Sequence, residues 1–291
     1  MSITIQNEFL TVTAARKGAE LQSVKSADGT EYLWQGDPAY WTSHAPNIFP
    51  YVARLTEGKY ILNGREYGFG NHGLVRYEEL AVEAQTDTSV TFRLDSTEET
   101  KKKYPFDFVY RISYTLDGNT LKIGTRVENA GEDRMYFAVG GHPGFNVPME
   151  AGTSFEDYCL VFDEEAHPYR IHLADSGAVT PLTTVYEMKD NKVIPLSHDL
   201  FDHDAVVLTH AAKTVKICSD KTSRAVTVSY PDFRYVGFWH KPKTDAPYVC
   251  VEPWTSLPSR EGIVEKLALQ ADLLSLDPGK VWETVWTVTI D

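Results

Sequence analysis

Four segments of this chain set a titratable or cationic side chain into apolar or glycine-rich surroundings. In Tyr248-Val-Cys-Val-Glu252-Pro-Trp254, a carboxylate ends an apolar run. Burying such a group without a partner costs several kcal/mol, so Glu252 needs a partner, an altered pKa or a chemical task. In Phe137-Ala-Val-Gly-Gly-His142-Pro-Gly, a strand-like stretch delivers an imidazole to a strand end and holds it there. A rigid mount suits a catalytic proton donor, and a structural histidine equally. His72 stands between glycines in Gly68-Phe69-Gly-Asn-His72-Gly-Leu-Val-Arg76, which permits close backbone approach to a ligand or simply makes a loop. Arg54 closes the apolar run from Ala45 as a surface ion pair or a ligand contact. Carboxylate and imidazole are the common currency of general acid–base catalysis.

Other chemistries find less support. His198, His203 and His210 straddle an acidic stretch, but their spacings match no helical zinc pattern. The chain has no GxSxG elbow, no GxxxxGK[ST] loop and no strand–GxGxxG–helix unit, so nucleotide binding is not expected. Cys159, Cys218 and Cys250 are odd in number and far apart in sequence. They read as small buried hydrophobes in a reducing compartment.

Composition narrows the class further. The 291 residues carry 28 Lys and Arg against 41 Asp and Glu, a net charge of −13. Such a surface repels nucleic acid and anionic lipid, so neither is an expected partner. The N-terminus has neither a basic start nor an apolar block, and no segment reaches the roughly 20 apolar residues of a membrane span. A soluble cytoplasmic protein, monomer or homodimer, is the expectation.

The elements that must position the four segments read as strands. Aromatic residues reach 12%, and short alternating runs recur between turn signals. Strands are expected over 2–6, 10–14, 20–25, 31–34, 89–94, 110–116, 120–128, 158–162, 205–209, 215–218, 225–230, 235–239, 248–251 and 281–290. The clearest pair is 110–116 and 120–128, joined through Asp117-Gly118-Asn119, with Ile112, Tyr114 and Leu116 alternating against polar neighbours. In the last strand, Val281, Val285 and Thr287 form the period-two run. Residues 263–274 fit a helix or a strand and loop. Without crossover helices or an internal linker, the reading is one all-β domain over 1–291, a large antiparallel β-sandwich.

In this order along the chain, Asn47-Ile-Phe-Pro-Tyr-Val-Ala-Arg54, His72-Gly-Leu-Val-Arg76, Gly140-Gly-His142-Pro-Gly-Phe145 and Val251-Glu252-Pro-Trp254 resemble the aldose 1-epimerase (galactose mutarotase) family, in particular its LacX-like branch. The resemblance runs from Leu33-Trp34 to Leu276-Asp-Pro-Gly279. It implies a β-sandwich with an open sugar cleft and no metal, nucleotide or other cofactor. It implies Glu252 as general base, His142 as general acid, and His72 and Arg54 as sugar ligands. Asp204 resembles the family's hydroxyl acceptor, with Asp202 two residues away as its rival. Trp239 and Phe69 are ring-stacking or core residues. Many mutarotases carry a shorter HGG motif, whereas the HGxxR form here is similar to relatives acting on hexose 6-phosphates, which would make Arg76 a phosphate ligand.

The implied reaction interconverts α and β anomers of a hexose such as galactose or glucose. The C1 hydroxyl loses a proton, the ring oxygen gains one, the C1–O5 bond opens, and reclosure from the other face gives the second anomer. Ionised Glu252 and protonated His142 coexist only between about pH 4.3 and 6.5 at ordinary values. A nearby carboxylate, Asp204 or another, is therefore expected to raise His142. Two further readings are a silent sugar-binding module and a glycoside hydrolase needing a second acid opposite Glu252.

Overall fold

The computed structural model describes residues 2–291, and its framework is two large antiparallel sheets. The first has nine strands in the order Val193–Pro195, Tyr158–Phe162, Thr214–Ser219, Thr222–Ser229, Val281–Ile290, Thr120–Asn129, Phe108–Asp117, Ser89–Asp95 and Ala81–Gln85. The second runs Val179–Val185, Tyr169–Leu173, Val206–Thr209, Tyr235–Trp239, Tyr248–Trp254, Gly140–Gly141 and Asn47–Ile48, with Gly144–Asn146 also paired to Tyr248–Trp254. A three-stranded sheet of Ser2–Gln6, Leu10–Ala15 and Leu21–Ser26 and two small ribbons complete it. No helix is long and apolar enough to cross a membrane among the described residues.

Alternation explains how the sheets meet. In the pair Phe108–Asp117 and Thr120–Asn129, Tyr110, Ile112, Tyr114 and Leu116 turn inward with Leu121, Ile123 and Val127. Asp117 pairs with Thr120, so Gly118, at φ +57°, and Asn119 form the two-residue loop. From the second sheet, Val206, Leu208, Val236, Phe238, Val249 and Val251 enter the same core. Each fully buried side chain of this size contributes about 1.5–3 kcal/mol.

The central strand Tyr248–Trp254 is buried along its whole length. With period two, Val249 and Val251 face the core while Tyr248, Cys250, Glu252 and Trp254 face the other side of the sheet. Two separate clusters cover that second face. One groups Trp34, Tyr248 and Cys250 with Trp41 and Trp239, the other Ile48, Val207, Tyr235 and Trp254. Glu252 is thus buried without being in the sandwich core.

Several expectations are corrected. Residues 31–34 form only isolated bridges, at Glu31 and Leu33. In Val281–Ile290, Trp286, Val288 and Ile290 turn inward, while Val281 and Val285 are 38% and 49% exposed. Of the two alternatives for residues 263–274, the structure has the loop and strand, with a single 3-10 turn, Leu267–Leu269, before a short strand at Leu274–Leu276. Cys159 and Cys218 are half-exposed, and only Cys250 is buried.

Candidate active site

The cleft lies on the second face of the eight-stranded sheet. It has a volume of about 250 Å³ and is lined by residues from eight separate parts of the chain. Glu252 supplies its floor from the central strand. Directly across from it on the neighbouring strand stands Gly237, whose missing side chain leaves room above Trp254 and the Glu252 Cβ. His142 enters from the end of Gly140–Gly141, where its N–H donates to the Pro46 carbonyl at 3.1 Å. The two sequence-expected catalytic groups meet, with His142 Nε2 3.3 Å from Glu252 Oε2.

That contact is not aligned as a hydrogen bond. Glu252 Oε2 and His142 Nδ1 are both buried without a hydrogen-bond partner. Unsatisfied buried polar atoms are uncommon, so two of them on adjoining cleft residues stand out. The imidazole is boxed by aromatics. Trp41 stacks on it at 4.8 Å between centroids, and Trp239 meets it edge-on at 5.5 Å.

Burial sets the protonation of the pair. It brings His142 down to about 3, with the Arg76 charge adding to the effect. The same burial pushes Glu252 well above the usual carboxylate range, reinforced by the Asp204 charge. The expectation of a raised His142 is therefore corrected: burial and the Arg76 charge lower it, and the carboxyl 3.3 Å away is itself pushed towards its neutral form. Between these limits the pair holds one proton, which both shifts place on Glu252, leaving His142 neutral.

His72 reaches the cleft through a reciprocal lock with Ala53. The His72 N–H donates to the Ala53 carbonyl at 2.8 Å, and the Ala53 N–H donates to His72 Nδ1 at 3.2 Å. Nδ1 being the acceptor, Nε2 carries the proton and is the donor left for a ligand. Burial first, then the charges of His142, Arg76 and Arg54, hold this imidazole neutral, well below its usual range. Ala53, His72 and Asp204 all have positive φ, at +48°, +62° and +73°. Such backbone costs of order 1–3 kcal/mol per residue and clusters at functional sites. Gly73 follows at φ +83°, and a Cβ there would meet the Phe49 carbonyl oxygen at 2.3 Å.

Arg54 is exposed and donates to the Ser176 carbonyl at 3.2 Å. Arg76 donates to Ser43 Oγ at 3.1 Å. Neither guanidinium has a carboxylate partner among the described residues, whereas Arg93, Arg111, Arg224 and Arg260 all do. Asp204 lines the cleft after a left-handed turn, its Oδ1 accepting from the Ala205 N–H at 3.0 Å. Asp202 lines instead an adjoining cavity shared with His203 and Lys243.

Trp239 lines the cleft, but Phe69 does not. Phe69 packs against Tyr51 and Tyr60, with centroids 5.7 and 5.2 Å away. Trp41, Asn71, Leu173 and Gly177 also line the cleft and were not anticipated. Trp41 had a signal, an aromatic pair Tyr40-Trp41 inside a polar loop. Gly177 had none, because its place beside Arg54 and Asp204, both of which an added Cβ would touch, depends on a hairpin folding over from a distant part of the chain.

The three flagged histidines do not converge. His198 pairs with His240 at 3.2 Å, and His203 and His210 are exposed. Among the described residues, His142, Cys250 and Glu252 are the one set of metal-ligand atoms within 4.8 Å of one another. A larger cavity beside Arg224 has its charge already committed, to Asp28 and Glu150.

The fold and the cleft together are those of an antiparallel β-sandwich with a buried carboxyl and imidazole at the floor of an opening walled by polar and aromatic groups. The sequence profile of aldose 1-epimerase matches residues 1–267, and the chain belongs to the aldose 1-epimerase family. It is 33% identical to the plasmid-borne protein LacX of Lactococcus lactis subsp. lactis, over 96% of this chain and 97% of that one. Among solved structures, it is similar to a galactose mutarotase related enzyme from Lactobacillus acidophilus, with TM-score 0.95 and 36% identity over 100% and 97% of the two chains. A galactose mutarotase-like protein from Lactobacillus casei gives TM-score 0.93 at 29% identity, over the full length of both. Family and neighbours together support a mutarotase activity in general terms.

Proposed function

We propose that the protein is an aldose 1-epimerase that interconverts the anomers of a free hexose such as galactose or glucose. The observation that carries this reading is the buried Glu252–His142 contact at 3.3 Å, with its unsatisfied Glu252 Oε2, at the floor of a sugar-sized cleft. Once the shared proton has passed from Glu252 to His142, Glu252 takes the proton of the C1 hydroxyl while His142 gives its own to the ring oxygen, and the C1–O5 bond opens. The open-chain aldehyde then faces a neutral acid and a neutral imidazole. That is the neutral pair that burial also favours before the reaction, so the charged pair exists only around the proton transfers. After rotation about C1–C2, Glu252 returns its proton to O1 and His142 recovers its own, closing the ring on the other face.

His72 Nε2–H and Arg54 donate to ring hydroxyls, Asp204 accepts from one, and Trp239 offers an apolar ring face. Polarimetry of freshly dissolved α-galactose and α-glucose tests the proposal. Optical rotation should decay faster with protein than without it, and an unchanged decay at high protein concentration would refute activity on free hexoses.

One observation favours a second reading. Arg54 and Arg76 carry unpaired positive charge into the cleft of a chain whose net charge is −13. A hexose 6-phosphate is the ligand such a pair would recognise, and glucose 6-phosphate belongs in the same assay.

A further inference from the structure

The strands Tyr158–Phe162 and Thr214–Ser219 pair with Cys159 directly opposite Cys218. Tyr158, Leu160 and Phe162 are buried on one strand, Val215 and Ile217 on the other, so both cysteines project from the outer face of the nine-stranded sheet. Both are half-exposed, and Cys159 Sγ lies 3.6 Å from the Cys218 carbonyl oxygen. Opposed residues of an antiparallel pair have Cα atoms about 4.5–5.5 Å apart. A disulfide spans about 4.4–6.8 Å between Cα atoms.

We propose that Cys218 and Cys159 form a thiol–disulfide exchange site, Cys218 attacking a low-molecular-weight disulfide and Cys159 closing a cross-strand bond. The roles follow from where the Cys159 proton goes: its thiol donates to the Cys218 carbonyl oxygen at 3.6 Å, which leaves the Cys218 sulfur free to attack. The neighbouring Cys159 side chain brings Cys218 down to about 7, and Lys216 adds to the effect. The same proximity pushes Cys159 up, with burial and Asp220 reinforcing it and Lys189 opposing. A thiol ionising near ambient pH is the best placed to attack.

The Cys218 thiolate displaces one thiolate from the small disulfide, giving a mixed disulfide on Cys218. Cys159, deprotonated in the step, attacks the Cys218 sulfur and expels the second thiolate. The small disulfide is reduced to two thiols, and the protein dithiol is oxidised to a disulfide. Nothing in this sequence uses the sugar cleft, which lies on the other sheet, nor the buried Cys250.

Incubation of the full chain with glutathione disulfide near neutral pH, followed by non-reducing peptide mapping, tests the proposal. The expected product links the peptides of Cys159 and Cys218 and leaves Cys250 a free thiol. Cys159→Ser should stall as a glutathione adduct on Cys218, and Cys218→Ser should react at least about tenfold more slowly. The unsubstituted chain gives an independent ranking, because brief iodoacetamide treatment should label Cys218 before Cys159. Adducts without the cross-link, equal rates for the two serine variants, or faster labelling of Cys159 would overturn the proposal.

Discussion

Glu252 and His142 are pushed by their surroundings in opposite directions, and the consequence is a wide range of pH with one proton between them. A second proton waits until His142 titrates, at about 3. The last proton leaves only above the raised value of Glu252. On ordinary values the competent form would fade above about pH 6.5. The account instead expects kcat/KM to stay flat from about pH 5 to about pH 7, measured by polarimetry after subtraction of the uncatalysed rate. A basic limb centred near 6.5 would show that His142 titrates like an exposed imidazole. Arg76 allows a second test at this scale. Arg76→Ala should lower kcat/KM for glucose 6-phosphate by at least about tenfold more than for glucose, as expected for a lost charge-assisted hydrogen bond. Equal losses on the two sugars would remove Arg76 from phosphate recognition.

At the scale of elements, the site depends on a few backbone positions that hold strained turns in place. Gly73 is the sharpest case: a methyl group there would meet the Phe49 carbonyl oxygen, and the backbone is already left-handed. Gly73→Ala should cost about 2 kcal/mol or more, read as a lower urea midpoint, and should also misplace His72. An unchanged midpoint would mean the loop moves freely.

The elements also mark where the sequence was legible. The strands around Asp117–Thr120 were readable because their polar and apolar residues alternate and one face is buried. Ala81–Gln85 was not, since it is an exposed edge strand with no buried face to impose a pattern. In Val281–Ile290 the apolar residues on the solvent side misled, because Val281 and Val285 alternate as regularly as Trp286, Val288 and Ile290. Glu252 stood out as a charge in an apolar strand, whereas the aromatic pair Tyr40-Trp41 was visible but its place was not, because only the fold lays that loop over His142. The apposition of Cys159 and Cys218 was equally hidden, since sheet order is not written in local pattern.

For the whole molecule, holding a carboxylate in a dry site trades stability for chemistry. Glu252 has a raised folded-state pKa, so its share of stability is full below its unfolded value of 4.5 and is lost as pH rises through the folded value. His142 acts with the opposite slope, its share being lost as pH falls from 6.5 towards about 3. Glutamine keeps the shape of Glu252 and cannot ionise. Glu252→Gln should therefore raise the thermal midpoint relative to the native chain, and by more at pH 8 than at pH 5. An equal or larger gain at pH 5 would contradict the assigned direction.

The central claim is that the buried pair performs the proton transfers of anomer exchange. The most direct measurement follows the optical rotation of fresh α-galactose and α-glucose with the native chain and with Glu252→Gln, with sugar binding measured in parallel. The account predicts catalysed decay with the native chain, and a variant that binds sugar but turns it over at least about 10²-fold more slowly. A Glu252→Gln variant with near-native turnover would contradict it.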